Sequence, residues 1–147
     1  MGEAAAILVV EEDADIRTLL VGYVQERDFH CITVASVEEA RHVLGSECRV
    51  VAALIDVACP LRSESLGFAR DVAGAGAAVV VTTGHPDCVA EIEASGLEFI
   101  LKPYDVEALH LAIDQAIRRA AARGERSRGS LAAHGGMTPA RGAVPAP

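Results

Sequence analysis

ILVVEEDADIR, residues 7–17, decides the fold. Residues 7–10 are four apolar side chains in a row with no polar alternation, and the run stops dead at Glu11, Glu12 and Asp13. A short apolar run of this kind reads as a strand buried on both faces, which belongs to a parallel sheet covered on both sides. Residues 15–27 follow with Ile16, Leu19, Leu20, Tyr23 and Val24 at helical spacing. A doubly buried strand, acids at its C-terminal end and an amphipathic helix make the first β-α unit.

The same unit recurs along the chain. Residues 30–34 are a second strand. Ser36 with Glu39 three residues on forms a capping box that opens a helix running to Leu44 and stopped by Gly45. Residues 50–55 are a third strand ending at Asp56, with Pro60 breaking the chain soon after and a helix expected over 65–73. Residues 77–82, Ala and β-branched throughout save for none polar until Thr82, are a fourth strand, and Pro86 suits the first turn of a helix reaching about Ser95. Residues 98–101 are the fifth strand. Asp105 caps a long last helix with Val106, Leu109, Ile113 and Ile117 on one face. Five β-α units with short links imply an α/β fold: a doubly wound, five-stranded parallel sheet, five helices on its two faces, and right-handed crossovers. One domain is expected over residues 1–123. From 124 to 147 the composition shifts to Arg, Gly, Ser, Pro and Ala, which predicts a disordered tail.

Composition narrows the function classes. Apolar residues are 51% of the 147, with no Trp, two Tyr and three Phe, so the core is aliphatic. No apolar run approaches the roughly 18 residues of a membrane span. The start, MGEAAAILVVEE, lacks a basic leader region, so a cytoplasmic protein without a secretory signal is expected. Residues 1–117 carry 7 basic and 20 acidic side chains, whereas 118–147 carry 6 Arg and one Glu. An acidic body is a poor partner for nucleic acid, whose phosphates need Lys and Arg. Cys31, Cys48, Cys59 and Cys88 form no CxxC pair and read as reduced thiols.

In an open parallel sheet, ligands collect at the C-terminal ends of the strands. Those ends carry Glu11 and Glu12, then Asp56, then Thr82 and Thr83, then Lys102 followed by Pro103. Three carboxylates so close would repel one another, and a hard divalent cation such as Mg²⁺ removes the conflict. One carboxylate can then act as a nucleophile toward phosphorus, with Lys102 neutralising charge and a threonine hydroxyl donating to the transferred group. The chain has no Walker-type Gly-rich loop and no GxGxxG.

ILVVEEDADIR, LIDVACP, VVTTG and FILKP, in this order at these strand ends, resemble the receiver domain of two-component response regulators. The resemblance covers about residues 5–121 and implies the flavodoxin-like strand order 2-1-3-4-5. It implies that Asp56 is the phosphoacceptor, charged by a sensor histidine kinase or a histidine phosphotransfer protein. Glu11 and Glu12 match the acidic pair that holds Mg²⁺ with Asp56, and the carbonyl of Ala58 matches the remaining protein ligand. Thr83, chosen over Thr82 because Gly84 follows it, matches the hydroxyl that swings toward the phosphoryl group. Lys102 matches the lysine of the KP pair, and Phe99 the aromatic switch. His85 and His110 read as surface residues and not as phosphorylation sites.

Two departures stand out. The second acidic position is normally Asp, and Glu12 is longer by one carbon–carbon bond, about 1.5 Å, against the tight octahedron of Mg²⁺. Only 19 positions separate Thr83 from Lys102, which predicts a short fourth helix. The expectation is a stand-alone response regulator, with no output domain after the fifth helix, that signals by phosphorylation-dependent contact with a downstream protein. Helix four, strand five and helix five are the contact face that the resemblance implies. Its own chemistry would be limited to taking up and losing the phosphoryl group, which makes it no enzyme in its own right. The alternative is a phosphate-independent pseudo-receiver acting as a protein-binding module.

Overall fold

The computed structural model of the chain describes residues 5–57 and 62–135, with side chains over 5–57 and 63–126. Five strands, β1 (Ala6–Val10), β2 (His30–Val34), β3 (Val50–Asp56), β4 (Ala78–Thr83) and β5 (Glu98–Leu101), pair in parallel in the order β2-β1-β3-β4-β5. The helices are α1 (Ala14–Gln25), α2 (Val37–Leu44), α3 (Arg62–Gly74), α4 (Val89–Ala94) and α5 (Val106–Gly135), with a 3₁₀ turn at Pro86–Cys88 leading into α4. The α/β class, the strand order and the five helices are those expected.

Caps explain where the helices start. Asp13 Oδ1 accepts from the amides of Asp15 and Ile16 at 2.9 and 3.0 Å, which satisfies two of the free N–H groups opening α1. Ser36 Oγ accepts from Glu39 N at 3.2 Å, and Glu39 Oε2 answers by accepting from Ala35 N at 3.1 Å, one residue before the usual partner of the box. Asp105 Oδ1 accepts from Ala108 N at 2.7 Å at the head of α5.

Strand pleating sorts the core into two halves. Ile7, Val9, Ala52, Leu54, Ala78 and Val80 face α1 and α5, against Leu20, Val24, Leu109 and Ile113. Leu8, Val10, Ala53, Ile55, Val79 and Val81 face α2, α3 and α4, against Val37, Phe68, Val72 and Ile92. Alternate residues therefore serve opposite faces, as the period of two demands. That parity continues past the strand ends and decides which polar side chains meet.

The expected disordered tail begins too early. α5 runs on through residues 124–135 as helix. Ala, Arg and Glu in AARGER propagate a helix well, and extension of an existing helix avoids the nucleation cost. Residues 136–147 lie outside the described residues.

Candidate functional site

The C-terminal edge of the sheet brings Glu11, Asp56 and Lys102 together. Lys102 Nζ lies 2.8 Å from Asp56 Oδ1 and 3.1 Å from Glu11 Oε2. Glu11 follows Ile7 and Val9 in parity, and Asp56 follows Ala52 and Leu54, so both carboxylates fall on the α1–α5 side. Lys102 comes straight after β5, its amide donating to Thr83 O at 2.8 Å, and the Lys102–Pro103 peptide is cis. It is the one lysine of the sequence, beside twelve arginines.

The pocket is poorly solvated. The side chains of Glu11, Asp56 and Lys102 are 4%, 14% and 24% exposed. Burial, and after it the charge of Asp56, holds the Glu11 carboxyl above its ordinary range in spite of Lys102. Burial pulls the Lys102 ammonium down, but its hydrogen bond to Asp56, the Asp56 charge and then Glu11 outweigh that, and its pKa is raised. Tyr104 packs beside this half of the core, and burial pushes its phenol up to about 12. Two carboxylates are thus forced together and share one cation.

Glu12 takes the opposite parity. It is exposed and lines a cleft of about 470 Å³ with Val10, Ser36, Glu38, Asp56, Glu64 and Ser65, on the α2–α3 side. Asp13, next in line, is occupied as the cap of α1. Ala58 lies outside the described residues. In kind, these oxygen donors fit a hard divalent cation: Glu11 with Asp56 is a pair in want of positive charge, and Asp56 also opens onto the cleft that holds Glu12. Among the described residues no three His, Cys, Asp or Glu side chains are drawn together as a ligand set.

The two threonines also divide by parity. Thr82 pairs with Asp56 across β3 and β4, and its Oγ1 lies 3.5 Å from Asp56 Oδ1. Thr83, the expected partner, is fully buried on the other face, where its Oγ1 donates to Val57 O at 3.1 Å and accepts from His85 N at 3.1 Å. Sequence reasoning also passed over Arg17. Its Nη1 donates to the carbonyls of Glu11 and Glu12 at 2.7 and 2.8 Å and ties the acidic turn to α1.

No family model matches the chain, and no curated protein matches it. Solved structures do. A signal receiver domain of an HD domain-containing protein from Pseudomonas fluorescens superposes with a TM-score of 0.72 at 20% identity, over 86% of this chain and 96% of that one. A CheY-like response regulator receiver domain protein from Methanospirillum hungatei gives 0.69 at 17%, over 82% and 99%. This chain has the receiver fold. NtrX from Brucella abortus, solved in complex with ADP, gives 0.69 at 22% identity over 86% of this chain, which spans 29% of that longer protein.

In this receiver fold Phe99 sits on the α4 side of β5, half-buried against the core half that also holds Val81 and Ile92. The fourth helix is short, six residues after its 3₁₀ turn, as the spacing from Thr83 to Lys102 predicts. Cys31, Cys48 and Cys88 form no disulfide. Among the described residues no helix is long and apolar enough to cross a membrane.

Proposed function

We propose that the chain is a phosphoryl-accepting receiver and that Asp56 is its acceptor. The observation that carries this reading is the ammonium of Lys102 held 2.8 Å from Asp56 and 3.1 Å from Glu11 at the ligand-binding edge of the sheet. An Asp56 oxygen forms the bond to phosphorus while the donor's phosphorus–nitrogen bond breaks, its electron pair leaving with the imidazole of a histidine kinase or a histidine phosphotransfer protein. Lys102, already on Oδ1, offsets the charge that the phosphoryl oxygens bring into a half-dry pocket. Hydrolysis of the acyl phosphate resets the site.

Glu11, Glu12 and Asp56, with the carbonyl of Ala58, would hold Mg²⁺, which when bound neutralises the incoming phosphoryl oxygens. Phe99 and Thr83, on the α4 side, would carry the change toward the face formed by α4, β5 and α5 and so to a downstream protein. A small phosphodonor such as phosphoramidate, given with Mg²⁺, should add one phosphoryl group to the intact mass, and Asp56→Asn should abolish the gain. No gain with the donor or with a histidine kinase would leave phosphate-independent binding as the function.

A further inference from the structure

Two adjacent hydroxyls end β4, and they answer to different parts of the molecule. We infer that Thr82, rather than Thr83, is the residue that positions the Asp56 carboxylate for phosphoryl transfer. The inference rests on the reading of Asp56 as acceptor.

Asp56 and Thr82 are register partners in neighbouring parallel strands, so both side chains leave the sheet on the same face. Thr82 is 2% exposed, and its side chain is confined by packing. Its hydroxyl and the Lys102 ammonium both reach the same oxygen, Oδ1, at 3.5 and 2.8 Å. The ammonium is the close partner of Oδ1 and the hydroxyl a longer one, and both bias the rotation of the carboxylate and draw negative charge to that side. Oδ2 is then the oxygen presented to phosphorus. When Oδ2 bonds to phosphorus and the donor's leaving group departs, Oδ1 becomes the carbonyl oxygen of the acyl phosphate. It remains an acceptor for both donors, so the positioning contact survives the reaction.

Thr83 cannot take this part without loss. Its hydroxyl uses donor and acceptor capacity together, on Val57 O and His85 N, in a fully buried setting. Turning it toward Asp56 would leave the buried Val57 carbonyl without its hydroxyl donor. Thr82 needs no such movement.

The test uses the full chain, phosphoramidate and Mg²⁺, with phosphoprotein followed by intact mass over time. Thr82→Val keeps the volume and removes the hydroxyl, and should slow incorporation about fivefold, the net size of an ordinary hydrogen bond. Thr82→Ser restores the hydroxyl and should return the rate to within about twofold of the parent. A parent rate in Thr82→Val, or a Thr82→Ser as slow as Thr82→Val, overturns the inference, the second because packing alone would then explain the loss. If Thr82→Val does not fold, Thr82→Ala against Thr82→Ser makes the same comparison. A parent chain that takes no label, or an Asp56→Asn that still does, brings down the acceptor reading and this inference with it.

Discussion

Replacing Lys102 with methionine removes the charge that lets Glu11 and Asp56 coexist. The ammonium is 3.1 Å from one carboxylate oxygen and 2.8 Å from the other, so those two oxygens are no more than about 6 Å apart. At an effective dielectric constant of about 20, two unit charges at that separation repel by about 3 kcal/mol. Removing one member of a buried ion pair costs about 3–5 kcal/mol, and water entering the vacated space offsets part of it. A loss of about 3 kcal/mol is expected for Lys102→Met near neutral pH. In a folded body of this size that lowers the melting temperature by roughly 10 °C.

The pH dependence separates charge from packing. Glu11 already binds its proton more tightly in the folded chain than at the model value of 4.5. Lys102 is what holds that value down, so it climbs further in the variant. Between 4.5 and the folded value the folded state carries more protons than the unfolded one, and stability falls as pH rises through that window. The deficit of Lys102→Met therefore shrinks as pH falls from 8 toward 5, by up to about 1.4 kcal/mol per pH unit for one proton. The parent changes in the same direction with a shallower slope. Urea and thermal unfolding across that range, with chelator present to exclude divalent ions, measure both quantities. Adding Glu11→Gln to the variant should recover most of the loss. A variant that melts within about 2 °C of the parent at pH 8, or whose deficit ignores pH, refutes the reasoning.

Two further outcomes are expected. Mg²⁺ should stabilise the parent against urea by about 1.4 kcal/mol at ten times its dissociation constant, and Glu12→Ala should lose most of that gain; equal stabilisation of the two chains would remove Glu12 from the ligand set. A chain ending at Arg123 should lose far-UV helical signal relative to the full chain because residues 124–135 continue α5; an unchanged ellipticity would return those residues to the disordered tail.

The architecture was legible because each β-α unit carries its own local signals. Ser36 and Gly45 bracket α2 where the capping box and the stop residue place them. The chemistry-bearing residues sat where apolar runs end, and Glu11, Asp56 and Lys102 do converge there. At the site, what stayed illegible is one kind of fact. A strand buried on both faces is apolar at every position, so hydropathy carries no period of two and does not say which way a given residue points. The opposite directions taken by Glu11 and Glu12, both expected in the acidic pair, and the choice between Thr82 and Thr83 are of this kind. Counting parity from the strand ends settles them only when the register between neighbouring strands is known, and register belongs to the folded sheet. The length of α5 was hidden for a different reason: Gly124 and Gly129 argue against helix locally, by about 1 kcal/mol each, while an established helix upstream supplies the nucleus.

The chemistry of the shared cation explains why the chain's one lysine stands at this position among twelve arginines. Glu11 and Asp56 approach from different strands at an angle set by the sheet, and each offers a single oxygen to the bridge. A guanidinium is a rigid planar fork that matches the two oxygens of one carboxylate, whereas an ammonium is a compact charge whose three donors can be shared between two. A point charge held in this way can loosen its hold on one oxygen and keep the other as new negative charge arrives at Asp56. That places the polar trigger on the α1–α5 side of the sheet, with Thr82. The side chains that would report it, Thr83 and Phe99, lie across the sheet on the α4 side. On the proposed reading, a signal would have to pass through the backbone of β4 and β5, where Lys102 N donates to Thr83 O.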